Sequence, residues 1–312
     1  MSRSLALLFP GQGSQTTGMG KALAQQFPVA AQAFTEVDEA LGFKLSALCF
    51  EGPDDELKLT TNAQPALVAT SIAALRVLER ELGVRPSIVA GHSLGEYSAL
   101  VAAGALTLPD AVRIVRERGR LMQEAVPLGV GSMAALFGLT AEEVGVVCAE
   151  AAQGQVVSPA NLNGGGQVVI AGHTDAVRRA ITIAKGRGAK RAVELPVSAP
   201  FHCPLMAPVA EGLARVLASV TVSALHVGVI ANVTADVNRE ASQVKTLLVQ
   251  QVTTPVRWEE SMLKLPGLQC EAALEVGSGK VLAGLLKRVN ADMPCVSFGD
   301  PAGLAEVKGA MA

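Results

Sequence analysis

The chain has 312 residues, half of them apolar and 17% charged, with a formal net charge of −2. This length and apolar content can fill one large core, or a large domain that carries a smaller insert. The near-balanced charge excludes the basic excess of a nucleic-acid binder, and five scattered cysteines without a CxxC pair suggest neither a disulfide frame nor a zinc site, as for a reduced cytoplasmic protein.

Met1–Ser4 runs directly into Leu5–Phe9, which is predicted as the first strand and is too short for the apolar stretch of a signal sequence. Phe9-Pro10-Gly11-Gln12-Gly13-Ser14-Gln15 follows as a turn. It lacks the Gly-Lys-Ser/Thr ending of a phosphate loop, so no nucleotide is expected there. A glycine-flanked Gln12 leaves its backbone N–H accessible. A long helix is predicted over Pro65–Leu82.

Strand residues Ile88–Ala90 lead into Gly91-His92-Ser93-Leu94-Gly95, and the helix-forming run Glu96–Ala103 follows. Strand, tight turn and helix around GxSxG is the pattern of a nucleophile elbow. Side chains at Gly91 and Gly95 would collide with neighbouring backbone, which holds Ser93 out at the tip. The helix N-terminus there favours developing negative charge. An oxyanion hole needs two donors: the N–H of Leu94 is one candidate, and that of Gln12, from a second strand-end loop, is the other.

Pro109–Ala125 is predicted as a helix. Its charged stripe is Arg113, Arg116, Glu117 and Arg120, whereas Arg118 falls among Ala111, Ile114, Val115, Leu121 and Met122. A buried guanidinium needs a partner. Either it makes an internal ion pair or snorkels, or its fork awaits a substrate carboxylate.

Residues 132–195 read strand (132–137), helix (141–151), strand (156–162), strand (167–171), helix (175–187) and strand (191–195). That βαββαβ order is a ferredoxin-like unit. Pro127-Leu128-Gly129 and Pro196 fit hinges. The expected division is a small domain at 129–196 inserted into a large one formed by 1–128 and 197–312. Lys185, Arg187, Lys190 and Arg191 make a basic cluster in the small domain, suited either to solvation or to docking of an acidic partner.

The remaining predicted elements are a helix at Leu205–Ala218, a strand at Val227–Ile230, a strand at Ala272–Val276, a helix at Lys280–Val289 and a strand at Cys295–Phe298. The uncharged segment Val216–Ala235 contains Ser219, Thr221, Ser223, His226 and Asn232, so it reads as a strand with loops and no membrane helix is expected. The class is α/β with a mainly parallel sheet.

Four histidines narrow the search for a base. His92 adjoins the nucleophile and should point elsewhere, His173 lies in a strand-to-helix turn, and His226 is expected packed in a strand. His202, in the loop Ser198–Pro204 just after the insert, is the candidate base. A lipase–esterase type hydrolase would also need an acid between Ser93 and His202, but Asp110, Asp175 and Glu194 are poorly placed for it. A non-catalytic interaction protein would not need Ser93, His202 and Arg118 together.

Phe9–Gln15, Gly91-His92-Ser93-Leu94-Gly95-Glu96-Tyr97, Arg118–Gln123, Pro200-Phe201-His202 and Gln251-Val252-Thr253-Thr254-Pro255-Val256 together resemble the malonyl-CoA:acyl carrier protein transacylase family of bacterial type II fatty acid synthesis. The resemblance implies a hydrolase-like α/β core with a ferredoxin-like insert. It implies an acyltransferase with malonyl-CoA and holo-acyl carrier protein as partners and no cofactor or metal. By position, Ser93 matches the nucleophile, His202 the base, Gln12 and Leu94 the oxyanion donors, and Arg118 the malonyl carboxylate partner. Gln251 matches the residue whose carbonyl orients the histidine, so the site is similar to a Ser–His dyad. Phe201 matches a position that selects the acyl unit, and Gln64 and Asn161 match pocket positions. A stand-alone polyketide acyltransferase would share this chemistry. Asn163–Gln167 and Glu275–Gly279 depart from the family pattern, in loops expected to lie away from the nucleophile.

Overall fold

The computed structural model describes residues 3–127, 129–197 and 199–311. Leu128 of the first expected hinge and Ser198 of the histidine loop lie outside the described residues, as do Met1, Ser2 and Ala312.

Among the described residues, ten strands form two sheets. The main sheet has the order β10 (Cys295–Phe298), β9 (Ala272–Val276), β1 (Leu5–Phe9), β2 (Ile88–Gly91), β7 (Gly228–Ile230), β8 (Val237–Asn238). All its pairings are parallel except β7 with β8. Alternation along the strands splits its two faces, as a two-residue side-chain period requires. Leu5, Leu7, Phe9 and Val89 join the larger core, whereas Ala6, Leu8, Ile88 and Ala90 pack with Trp258, Met262 and Leu286.

The second sheet is antiparallel, in the order β4 (Val157–Gly164), β5 (Gln167–His173), β3 (Gly131–Phe137), β6 (Arg191–Glu194). Helices Ala141–Ala152 and Thr174–Gly186 cover one face, which is the expected ferredoxin-like arrangement. The other face carries Met133, Ala135 and Val169 toward Phe201 and Cys203. Strand β4 breaks register around Pro159, where a residue without an N–H is tolerated because the strand lies at the sheet edge. Its free side pairs with the main unit: Val256 donates to the Ala160 carbonyl at 2.9 Å, and Leu162 donates to the Val256 carbonyl at 2.9 Å.

Three expectations need correction. The helix predicted from Pro65 starts at Thr60; the preceding turn forms although Pro65 supplies no N–H to it. Helices Lys21–Gln26, Pro28–Leu41, Leu45–Glu51 and Asp54–Lys58 fill a stretch read without elements. Pro28 at the first helical position and left-handed Gly42 at the end of the longest are the signals that mark it. His226 is exposed in a bend before β7, not packed in a strand.

Candidate active site

Ser93 sits between β2 and the helix Gly95–Ala102 with φ 51°, a left-handed conformation that costs energy for a residue with a side chain. The two glycines of the elbow make the turn sterically feasible. A Cβ on Gly91 would lie 1.9 Å from the Gly95 carbonyl carbon, and one on Gly95 would lie 2.0 Å from the Phe9 carbonyl oxygen. Asn232, just past the end of β7, clamps the turn. Its Oδ1 accepts from the Ser93 N–H at 2.7 Å and its Nδ2 donates to the Gly91 carbonyl at 2.7 Å.

His202 lies 2.6 Å from the Ser93 hydroxyl through Nε2. Its Nδ1 lies 2.8 Å from the Gln251 carbonyl. A carbonyl can only accept, so Nδ1 carries the proton and Nε2 is the free base facing Ser93. Burial, reinforced by the Arg118 charge, pushes the imidazole down to about 3. Asp110 lies in the first turn of its helix and accepts from the Thr107 hydroxyl, Asp175 sits in the first turn of another helix, and exposed Glu194 faces Arg178. The position behind the imidazole is therefore taken by a backbone carbonyl.

Arg118 is 2% exposed. Its Nη1 donates to Gln64 Oε1 at 2.8 Å, and its Nη2 donates to Gln251 Oε1 at 3.1 Å and Ser93 Oγ at 3.3 Å. The Nε has no partner among the described residues. The approach of helix Leu108–Ala125 to the start of helix Thr60–Leu82 depends on Gly119, where a Cβ would sit 2.7 Å from the Thr60 carbonyl oxygen. That close crossing brings Arg118 beside Gln64.

The cavity over Ser93 measures about 400 Å³; Gln12, Gln64, Leu94, Asn161 and Phe201 are among the residues that line it. Every sequence-selected site residue except Gln251 therefore borders this space, and Gln251 contacts it through His202 and Arg118. Leu94 opens the helix after the elbow, and Gln12 occupies the loop after β1, anchored by its Nε2 to Thr60 Oγ1 at 3.1 Å. Neither backbone N–H is tied to a loop or turn carbonyl among the described residues. The antiparallel sheet contributes Met133 and Asn161, and the following segment contributes Leu195, Pro196 and Val197.

Some neighbours were not singled out from the sequence. Glu96 looked like an ordinary helix former, yet it is buried beneath the elbow, and burial raises its carboxyl to about 7 against hydrogen bonds from Asn232 and Gln251 and the Arg118 charge. Asn232 carried one usable signal: a polar residue just past the carboxyl end of a parallel strand, where α/β sheets place their sites. The Asn163 loop is not remote, because Asn163 Oδ1 accepts from His92 Nε2 at 2.8 Å. Ser278, from the other departing loop, donates to the Ser14 carbonyl at 2.7 Å and braces the Gln12 loop.

The described residues contain no helix long and apolar enough to cross a membrane. Comparison with known proteins matches residues 6–288 to the acyl transferase domain model. The chain is 51% identical over 298 residues, 95% of its length and 94% of the relative's, to a malonyl CoA-acyl carrier protein transacylase of Bacillus subtilis (strain 168). A malonyl CoA-acyl carrier protein transacylase structure from Coxiella burnetii superposes with a TM-score of 0.97 at 42% identity, covering 100% of this chain and 98% of that one. A malonyl-transacylase in complex with its type II PKS acyl-carrier protein superposes with a TM-score of 0.96 at 45% identity, covering 98% and 99%.

Proposed function

This chain belongs to the acyl transferase domain family, and on that premise we propose that it moves a malonyl group from malonyl-CoA to the phosphopantetheine thiol of acyl carrier protein through a malonyl-Ser93 intermediate. The setting we assign is cytoplasmic fatty acid synthesis, with residues 129–196 acting as a small domain that roofs a site built on 1–128 and 197–312. Relatives bearing the transacylase name at near-full coverage support the reaction.

The observation that carries the malonyl assignment is Arg118. It is a buried cation whose hydrogen-bond partners are amide and hydroxyl oxygens, and its fork reaches within 3.3 Å of the Ser93 oxygen. Neutral acceptors compensate a buried charge only in part, so an acyl donor that ends in a carboxylate completes the site. With that carboxylate on Arg118, the thioester carbon comes to Ser93. His202 Nε2 takes the Ser93 proton as Oγ bonds to the carbonyl carbon. The N–H groups of Gln12 and Leu94 receive the oxyanion, and the C–S bond then breaks with the proton passing to the CoA sulfur. The second half-reaction runs in reverse with the carrier thiol, whose proton goes to His202 while its sulfur displaces Ser93. Phe201, Gln64 and Asn161 shape the acyl pocket, and the Gln251 carbonyl keeps His202 in the productive tautomer.

Intact-mass measurement after brief incubation with malonyl-CoA tests this reading. We expect a malonyl adduct on the wild type, none on Ser93→Ala, and discharge by holo-carrier protein faster than by water. Rapid loss of the adduct in buffer alone would mean a hydrolase, and no adduct on folded wild type would mean another donor or no catalysis. A type II polyketide carrier protein is the second acceptor to assay, given the relative solved with one.

A further inference from the structure

Beneath the elbow, one side chain meets two of the residues that aim the site. Glu96 is 2% exposed. Its Oε2 accepts from Gln251 Nε2 at 2.8 Å and from the Asn232 backbone N–H at 3.0 Å. Both donors belong to residues that position the chemistry: Gln251 through its carbonyl on His202 and its Oε1 on Arg118, and Asn232 through its clamp on Ser93 and Gly91.

The amide of Gln251 has two ends, and its orientation matters. With Nε2 toward Glu96 and the Ser93 carbonyl, its Oε1 faces the Arg118 guanidinium. A flip would set oxygen against carboxylate and NH₂ against guanidinium, two repulsive contacts in a buried space where such errors cost most. Glu96 and Arg118 are thus opposite charges held one amide apart. A direct ion pair would occupy the fork of Arg118. The interposed amide compensates part of the charge and leaves the Nη2 edge turned to Ser93.

We propose that Glu96 is a positioning residue for acyl transfer, fixing the Gln251 amide and the Asn232 backbone so that Arg118, His202 and Ser93 are aimed together. The inference rests on the malonyl-transfer reading. Its carboxylate serves this network and not the capping of its own helix, because the N–H groups it accepts come from Asn232 and Gln251. Burial raises this carboxyl to about 7, and these donors together with Arg118 are what favour its charged form against that burial.

Two substitutions separate the hydrogen bond from the space it fills. Glu96→Met keeps volume and removes the acceptor, which leaves the Gln251 and Asn232 donors unpaired and costs stability. Glu96→Gln keeps an acceptor oxygen. A misaim on the scale of 1 Å costs about 10²-fold in rate. Single-turnover acylation by malonyl-CoA should therefore fall about that much in Glu96→Met and about three- to tenfold in Glu96→Gln, and the malonyl-over-acetyl preference should shrink in Glu96→Met. The Ser93 adduct on wild type is measured first, so absence of that adduct sinks the transfer reading itself. With the adduct present, a folded Glu96→Met that acylates at the wild-type rate with unchanged acyl preference overturns the positioning role. If Glu96→Met does not fold, the Gln251→Met background decides. There the amide link is already cut and a glutamine at 96 still offers an oxygen to the Asn232 N–H, so adding Glu96→Gln should cost less than about twofold, whereas a full multiplicative loss overturns the proposal.

Discussion

Nη2 of Arg118 stands 3.3 Å from Oγ of Ser93, so a buried cation and the proposed nucleophile share one hydrogen bond. In the proposed reaction that oxygen attacks, and a carboxylate bound by Arg118 would bring its acyl carbon within reach.

If that proximity selects the donor, Arg118→Ala should lose malonyl preference more than total acyl turnover. Truncating one side of a buried charged contact typically costs 2–5 kcal/mol, so kcat/KM for malonyl-CoA should fall about 10²-fold or more while that for acetyl-CoA changes little. Competition between the two donors reads this directly, and a retained malonyl preference would remove Arg118 from the substrate contact.

Gly119 offers a test of how the arginine is placed. Alanine in a helix interior is favoured over glycine by about 1 kcal/mol, but the added Cβ would sit 2.7 Å from the Thr60 carbonyl oxygen. Overpacking costs about 1–3 kcal/mol, so Gly119→Ala should be destabilised in denaturant unfolding and should raise KM for malonyl-CoA by moving Arg118 from Gln64. A more stable variant with unchanged KM would show that the helix crossing has slack.

The pH dependence follows from two buried groups. His202 is held from its ordinary 6.5 down to about 3 by burial and by Arg118, so its neutral, proton-accepting form persists through acid pH. Its contribution to stability is complete above 6.5 and is lost as pH falls toward about 3, because only the unfolded chain takes up the proton readily. Glu96 moves the opposite way, from 4.5 to about 7 by burial; its contribution is present below 4.5 and is lost as pH rises through about 7. The rate of Ser93 acylation in Glu96→Gln should be flat from about pH 5 to 8. A limb near 6.5 remaining in that variant would mean that His202 titrates normally.

Phe201 is half-buried on the wall of the cavity. Phe201→Ser removes that bulk, so acylation by α-methylated malonyl-CoA should rise relative to malonyl-CoA by about tenfold, the scale of a methyl group admitted to an apolar pocket. An unchanged ratio would assign the selection to other walls, such as Met133 or Val197.

For the carrier protein, Lys185, Arg187, Lys190 and Arg191 cluster at the end of the helix Thr174–Gly186 and the start of β6. Arg187 already faces Glu150 at 2.6 Å, which discounts its pull on a partner. Reversing all four charges should raise KM for acyl carrier protein several-fold and salt-dependently while leaving KM for malonyl-CoA unchanged. An unmoved carrier-protein KM would place docking elsewhere.

Local pattern determined the elbow, the strand order of residues 132–195 as a ferredoxin-like unit, and the seclusion of Arg118. Each follows from short-range geometry: two glycines at a sharp turn, a two-residue strand period, and a 100° helical step that turns one arginine from its charged neighbours. Tertiary structure alone decided what those parts face. His202 and Ser93 lie 109 residues apart, and Arg118 finds Gln64 only because another helix crosses at Gly119. The Asn163 loop reaches His92 through an edge strand bound to Val256. Glu96 and Asn232 carried no pattern of their own that revealed a partnership, because a hydrogen bond between distant segments leaves no periodicity in either; it exists only once the packed core brings the end of β7 against the helix that follows Ser93.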